Sequence, residues 1–232
     1  MCAFQREIFI FDVDGTLTDT GKAHAIFCND LNTAGNYGLP IVDPADPAAV
    51  KAILGTPMST ILRKYGFPEE ETEYLDTIYS IRFKQNIRYA SRPFEGVPEL
   101  LAKLRELEMT IVLLTSNTEN NVKRDMGEKN FRLADRCIDR DFLDNHFPKQ
   151  PQDTKYSQKG AAINHLIRRE FDATIPNGCF TVIGDTTKDF EAAEHAQCRF
   201  IGVSYGWEIE PNDPRFPVAN TVKELSNLLK LN

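Results

Sequence analysis

Ile8-Phe9-Ile10-Phe11 runs directly into Asp12-Val13-Asp14-Gly15-Thr16. Four apolar residues, β-branched and aromatic, followed at once by carboxylates and a glycine, read as a strand buried on both faces that ends in a polar turn. Three more apolar runs follow: Thr110-Ile-Val-Leu-Leu114, Phe180-Thr-Val-Ile183 and Phe200-Ile-Gly-Val203. Helical patterns separate the later ones. Val97–Leu107 places Leu100, Leu101, Leu104 and Leu107 on one face, with Pro98 in its first turn. Ser157–Phe171 turns Ala161, Ile163, Leu166 and Ile167 inward, and Phe190–Ala196 is short and Ala-rich. Strands alternating with helices predict an α/β fold, a Rossmann-like doubly wound parallel sheet.

The first two strands are separated by a block without a convincing strand. Gly21–Thr33, Thr60–Tyr65 and Glu69–Ile87 read as helices, and Gly35–Pro47 as a turn-rich loop. The expected organisation is an α/β core from residues 1–17 and 94–232 and an inserted α-helical cap domain at 18–93.

Three of the four strand ends carry polar clusters: Asp12 to Thr16, Thr115-Ser116-Asn117, and Gly184-Asp185-Thr-Thr-Lys-Asp189. In an open parallel sheet, ligands bind beyond the carboxyl ends of the strands, so these clusters are expected to converge. Asp12, Asp14, Asp185 and Asp189 would then crowd four carboxylates around one point, which is costly without a cation. Oxygen ligands suit a hard ion, and Mg²⁺ is the usual one beside phosphate. One carboxylate can then attack phosphorus while a second serves as acid and base. A threonine, neighbouring backbone N–H groups and a lysine would hold the phosphoryl oxygens. Taken singly, each cluster also reads as an ordinary turn or helix cap.

The three motifs in this order resemble the haloacid dehalogenase superfamily, in its phosphatase and phosphomutase branch with a helical cap. The resemblance implies Asp12 as nucleophile, and Asp14 as acid/base with its backbone carbonyl on the metal. Asp185 is then a metal ligand, and Asp189 ligates the metal or holds a metal-bound water. Thr115, Ser116 and Asn117 would bind phosphate. The second aspartate at position 14 sets the chain apart from the family's dehalogenases. The common Lys-Pro motif is absent. Lys159, which with Gly160 opens a helix, is the expected phosphate-binding lysine, with Lys155 second and Lys149 also nearby. His24 matches a hinge histidine that binds substrate in mutase-like members, and a buried structural histidine is the alternative. The Leu54-Gly-Thr-Pro-Met58 stretch resembles the cap loop but lacks the mutases' arginine.

The implied activity is Mg²⁺-dependent hydrolysis of a small phosphorylated metabolite through an aspartyl phosphate. A phosphomutase on the same scaffold is the alternative, and a non-catalytic binding module the remote one. The net charge of −7 across 232 residues, from 27 Lys+Arg and 34 Asp+Glu, argues against nucleic acid or an anionic membrane as partner. Five scattered cysteines without CxxC spacing suggest reduced thiols in a cytoplasmic protein. A monomer is the default, with a dimer as the other reading.

Overall fold

The computed structural model describes residues 7–55, 57–83, 86–148, 157–171 and 175–231. In chain order its elements are β1 (Ile8–Phe11), α1 (Thr20–Gly35), α2 (Pro47–Ile53), α3 (Met58–Tyr65), α4 (Thr72–Ile78), α5 (Val97–Glu106), β2 (Thr110–Leu114), α6 (Glu119–Met126), α7 (Glu128–Phe131), β3 (Arg136–Ile138), α8 (Arg140–His146), α9 (Gln158–His165), β4 (Phe180–Gly184), α10 (Thr187–His195), β5 (Arg199–Val203), β6 (Val218–Ala219) and α11 (Val222–Leu228). Single π-helical turns follow α4 at Tyr79–Phe83 and α9 at Leu166–Glu170.

The chain divides into two compact units, Met1–Thr18 with Pro93–Asn232, and Asp19–Arg92. The first is an α/β unit built on one sheet of order β3-β2-β1-β4-β5-β6, parallel throughout. The sequence reading found β1, β2, β4 and β5 and missed the two edge strands. Alternation along β1 sends Phe9 and Phe11 to one face and Ile8 and Ile10 to the other. Phe9 and Phe11 join Leu100, Leu101 and Leu104 of α5, Val122 of α6 and Leu225 of α11. Ile8 and Ile10 join Ile163 of α9 and Ala192 and Ala193 of α10. The sheet therefore has a hydrophobic core on each side, as the continuous apolar strands require. Successive strands run outward from β1 to β3, then restart at β4 on β1's other side. That reversal leaves a topological switch point at the carboxyl ends of β1 and β4.

The second unit is helical, as expected, with α2 added to the helices read from sequence. Asp19 caps α1 by accepting from the Lys22 N–H, and Asp46 caps α2, which opens on Pro47. At its centre Phe27 meets Tyr79, Phe83 and Tyr89 edge-on at 5.3–5.6 Å.

Among the described residues no helix is long and apolar enough to cross a membrane. Cys28, Cys137 and Cys198 are free thiols. Cys179 is buried just before β4.

Candidate active site

Asp12 follows β1 directly, and its backbone N–H extends the ladder by donating to the Ile183 carbonyl at 2.9 Å. The chain then turns sharply. The N–H groups of Thr16, Leu17 and Thr18 all donate to the Val13 carbonyl, at 3.2, 2.9 and 2.9 Å. Gly15 carries the turn with φ of 84°, a left-handed conformation that suits glycine. Asp185 follows β4, and Asp189 lies in the first turn of α10.

Asp12, Asp185 and Asp189 each place one carboxylate oxygen within 4.8 Å of the others, and all three are buried. Lys159, in the first turn of α9, reaches into this group. Its Nζ donates to Asp12 Oδ1 at 2.6 Å and to Asp189 Oδ1 at 2.7 Å. The other oxygen of Asp189 accepts from the N–H and hydroxyl of Thr186 at 3.2 and 2.6 Å, closing a capping box on α10. Asp189 is thus engaged by protein donors on both oxygens and orients Lys159 toward Asp12.

Burial dominates the electrostatics. It pushes the Asp12 carboxyl up to about 7, with repulsion from Asp189 and Asp14 adding and the Lys159 ammonium opposing. Burial also raises Asp185 well above the ordinary carboxylate range, reinforced by Asp12 and Asp189. The two flanking carboxylates hold the Lys159 ammonium protonated against its own burial. With all three carboxylates ionised, one ammonium would leave two negative charges uncompensated, which together with burial is why the shifts of Asp12 and Asp185 run upward. An all-oxygen cluster with that deficit fits a hard divalent cation.

Asp14, half-buried, stands beside the end of β2. The Thr115 hydroxyl donates to Asp14 Oδ2 at 3.4 Å and accepts from the Asn117 N–H at 3.0 Å. The Asn117 amide donates to both Asp14 oxygens, at 3.4 and 3.3 Å. Asn117 Oδ1 in turn accepts from the Thr118 N–H at 2.9 Å and from Asn121 Nδ2 at 2.8 Å, which fixes the amide with its NH₂ toward Asp14. Ser116 is exposed at the strand end.

Thus Asp12, Asp14, Thr115, Asn117, Lys159, Asp185 and Asp189 gather at the carboxyl end of the sheet. Lys149 and Lys155 lie outside the described residues, as does Thr56 of the stretch expected to form the cap loop. His24 belongs to the helical unit. It is buried, stacked on Phe83 at 4.9 Å and on Tyr79 at 5.7 Å, and Nε2 is 3.3 Å from the Tyr79 hydroxyl.

The chain belongs to the haloacid dehalogenase-like hydrolase family. Residues 9–203 match that family. The chain is 25% identical over 228 residues to a phosphoglycolate phosphatase of Chromobacterium violaceum, covering 95% of each chain. It is 28% identical over 208 residues to a 5′-nucleotidase of Pseudomonas aeruginosa, covering 87% of this chain and 84% of that one. A predicted phosphoglycolate phosphatase from Haemophilus somnus shares the fold, with a TM-score of 0.69 at 17% identity, covering 98% of this chain and all of that one. The two curated relatives, matched over 87–95% of this chain, place it among the family's phosphatases.

One group escaped the sequence reading. Thr16 and Trp207 both donate to the Asp185 carboxylate, at 3.0 and 2.7 Å. Trp207 lies in Ser204-Tyr-Gly-Trp207, just past β5. The signal was present, since this is the fourth predicted strand's end, yet it carries no carboxylate.

Proposed function

We propose that the chain is a divalent-cation-dependent phosphomonoester hydrolase that transfers the phosphoryl group of a small phosphorylated metabolite to Asp12 and then to water. The observation that carries this reading is the Lys159 bridge between Asp12 and Asp189, set against Asp185 in a buried, charge-deficient cluster. Asp12 and Asp185, with the Asp14 backbone carbonyl, would hold Mg²⁺. Bound there, it neutralises the carboxylates and draws the substrate's anionic oxygens toward them.

An Asp12 carboxylate oxygen attacks phosphorus, forming an O–P bond as the bond to the leaving oxygen breaks. Asp14 delivers the proton that leaving oxygen needs, released as an alcohol. Asn117 keeps Asp14 aimed throughout, its own amide fixed by Asn121. Ionised Asp14 then takes a proton from water as the water oxygen attacks phosphorus. The Asp12 O–P bond breaks, restoring the carboxylate and releasing phosphate. Lys159, held beside Asp12, offsets charge developing on the phosphoryl oxygens. Thr115, buried, and Ser116, exposed, follow β2 and would hold phosphoryl oxygens. The curated relatives are named for different phosphorylated compounds, which supports a class of small phosphate esters rather than one substrate.

The direct test is hydrolysis of p-nitrophenyl phosphate with Mg²⁺, followed by a panel of phosphorylated metabolites. Turnover lost in chelator and in Asp12→Asn is expected. Equal turnover by Asp12→Asn and the unaltered protein would refute the reading.

A further inference from the structure

We infer that Thr16 and the Ser204–Trp207 turn form a slot presenting Asp185 to the divalent cation in one fixed orientation, so that Thr16 and Gly206 are positioning residues for the metal. The inference rests on the phosphatase reading of the site. The Asp185 side chain is fully buried. Its Oδ1 accepts from the Thr16 hydroxyl at 3.0 Å and its Oδ2 from the Trp207 N–H at 2.7 Å. Its backbone carbonyl accepts from the N–H groups of Glu208 and Ile209, at 3.1 and 3.0 Å. Two glycines form the walls. A Cβ on Gly206 would overlap Asp185 Cβ and the Gly15 carbonyl oxygen, and one on Gly15 would overlap Asp185 Oδ2. Thr16 is itself steadied, because the Tyr205 hydroxyl donates to its carbonyl at 3.1 Å.

Each oxygen of a carboxylate accepts along two lone-pair directions, so these donors leave one direction per oxygen for another partner. Holding a buried carboxylate against two like charges is unfavourable for a purely structural residue. It is what a metal ligand needs, since donors behind a ligating carboxylate fix its direction before the ion arrives.

The test is calorimetric titration of Mg²⁺ into the full chain and four variants, with thermal unfolding of each in chelator. Wild type is expected to bind and Asp185→Asn to lose binding. Thr16→Val, which keeps the shape and removes the donor, is expected to bind about 10–100-fold more weakly, and Thr16→Ser to stay within about threefold of wild type. In chelator the two Thr16 variants are expected to melt within about 2 °C of each other, the equivalent of about 1 kcal/mol or less. Gly206→Ala is expected to weaken binding as Thr16→Val does. Should it fail to fold, the Thr16 pair decides alone. Wild-type affinity in Thr16→Val, or in a folded Gly206→Ala, overturns the slot while leaving the phosphatase reading intact. So does equal weakening by Thr16→Val and Thr16→Ser. Mg²⁺ binding that is absent from wild type or indifferent to Asp185→Asn overturns both.

Discussion

Replacing His24 with Phe is expected to flatten the acid side of the stability profile. The imidazole is 4% exposed and lies nearly parallel to the Phe83 ring, 9° apart. Burial holds its pKa at about 4 against an ordinary 6.5, with a hydrogen bond to the Thr20 backbone opposing. Above pH 6.5 the folded and unfolded chains both carry a neutral ring, and His24 leaves stability independent of pH. Below that, the unfolded chain takes up a proton that the folded chain refuses, so stability falls until the folded ring titrates near pH 4. The gap of two and a half pH units corresponds to about 3 kcal/mol, of which about 2 kcal/mol is already lost at pH 5. Phe preserves the flat stack and cannot take up a proton. Urea unfolding followed by circular dichroism at 222 nm, at pH 8 and pH 5, measures the effect through the helical unit. The loss between the two pH values is expected to be about 2 kcal/mol smaller in His24→Phe, whatever constant offset the lost Tyr79 contact adds. Equal losses in the two proteins would refute a buried neutral His24.

Three further expectations concern the site. Lys159→Met is expected to cut kcat on p-nitrophenyl phosphate by about 10²–10³-fold, the loss typical of a single group that stabilises transition-state charge. Asp12→Asn is expected to yield no acid-stable phosphoenzyme on rapid quench, and to melt no lower than wild type in chelator because one repelling charge is gone. Mg²⁺ at about 100 times its Kd is expected to raise unfolding stability by about 2.7 kcal/mol, and Asp185→Asn to abolish that rise in a thermal melt.

The sequence made the inner strands legible because they are buried on both faces. Ile8–Phe11, Thr110–Leu114, Phe180–Gly184 and Arg199–Val203 are nearly unbroken apolar runs. The edges were not legible. Arg136-Cys-Ile138 and Val218-Ala219 are too short to show a period, and they pair because a neighbouring strand offers its ladder. The π-helical turns at Tyr79–Phe83 and Leu166–Glu170 escaped for a related reason, since five residues are too few to show a change of period. The acidic cluster could be read because three strand ends bore unusual residues. The Thr16 and Trp207 contacts to Asp185 span 169 and 22 residues, and one of them comes from a backbone N–H that no residue type announces. The environment of His24 was hidden likewise, its partners Tyr79 and Phe83 lying on another helical segment.

Trp207 is the single tryptophan in the chain. Its backbone sits on Asp185, and its indole edge faces Gly15, where a Cβ would come within 2.8 Å of Cδ1. The protein therefore carries its own optical reporter at the carboxylate cluster, with no second indole to dilute the signal. Arrival of the proposed cation is expected to change the field across that ring, and indole emission shifts in wavelength as the local field changes. Stopped-flow mixing can then follow cation entry in real time on the unlabelled chain.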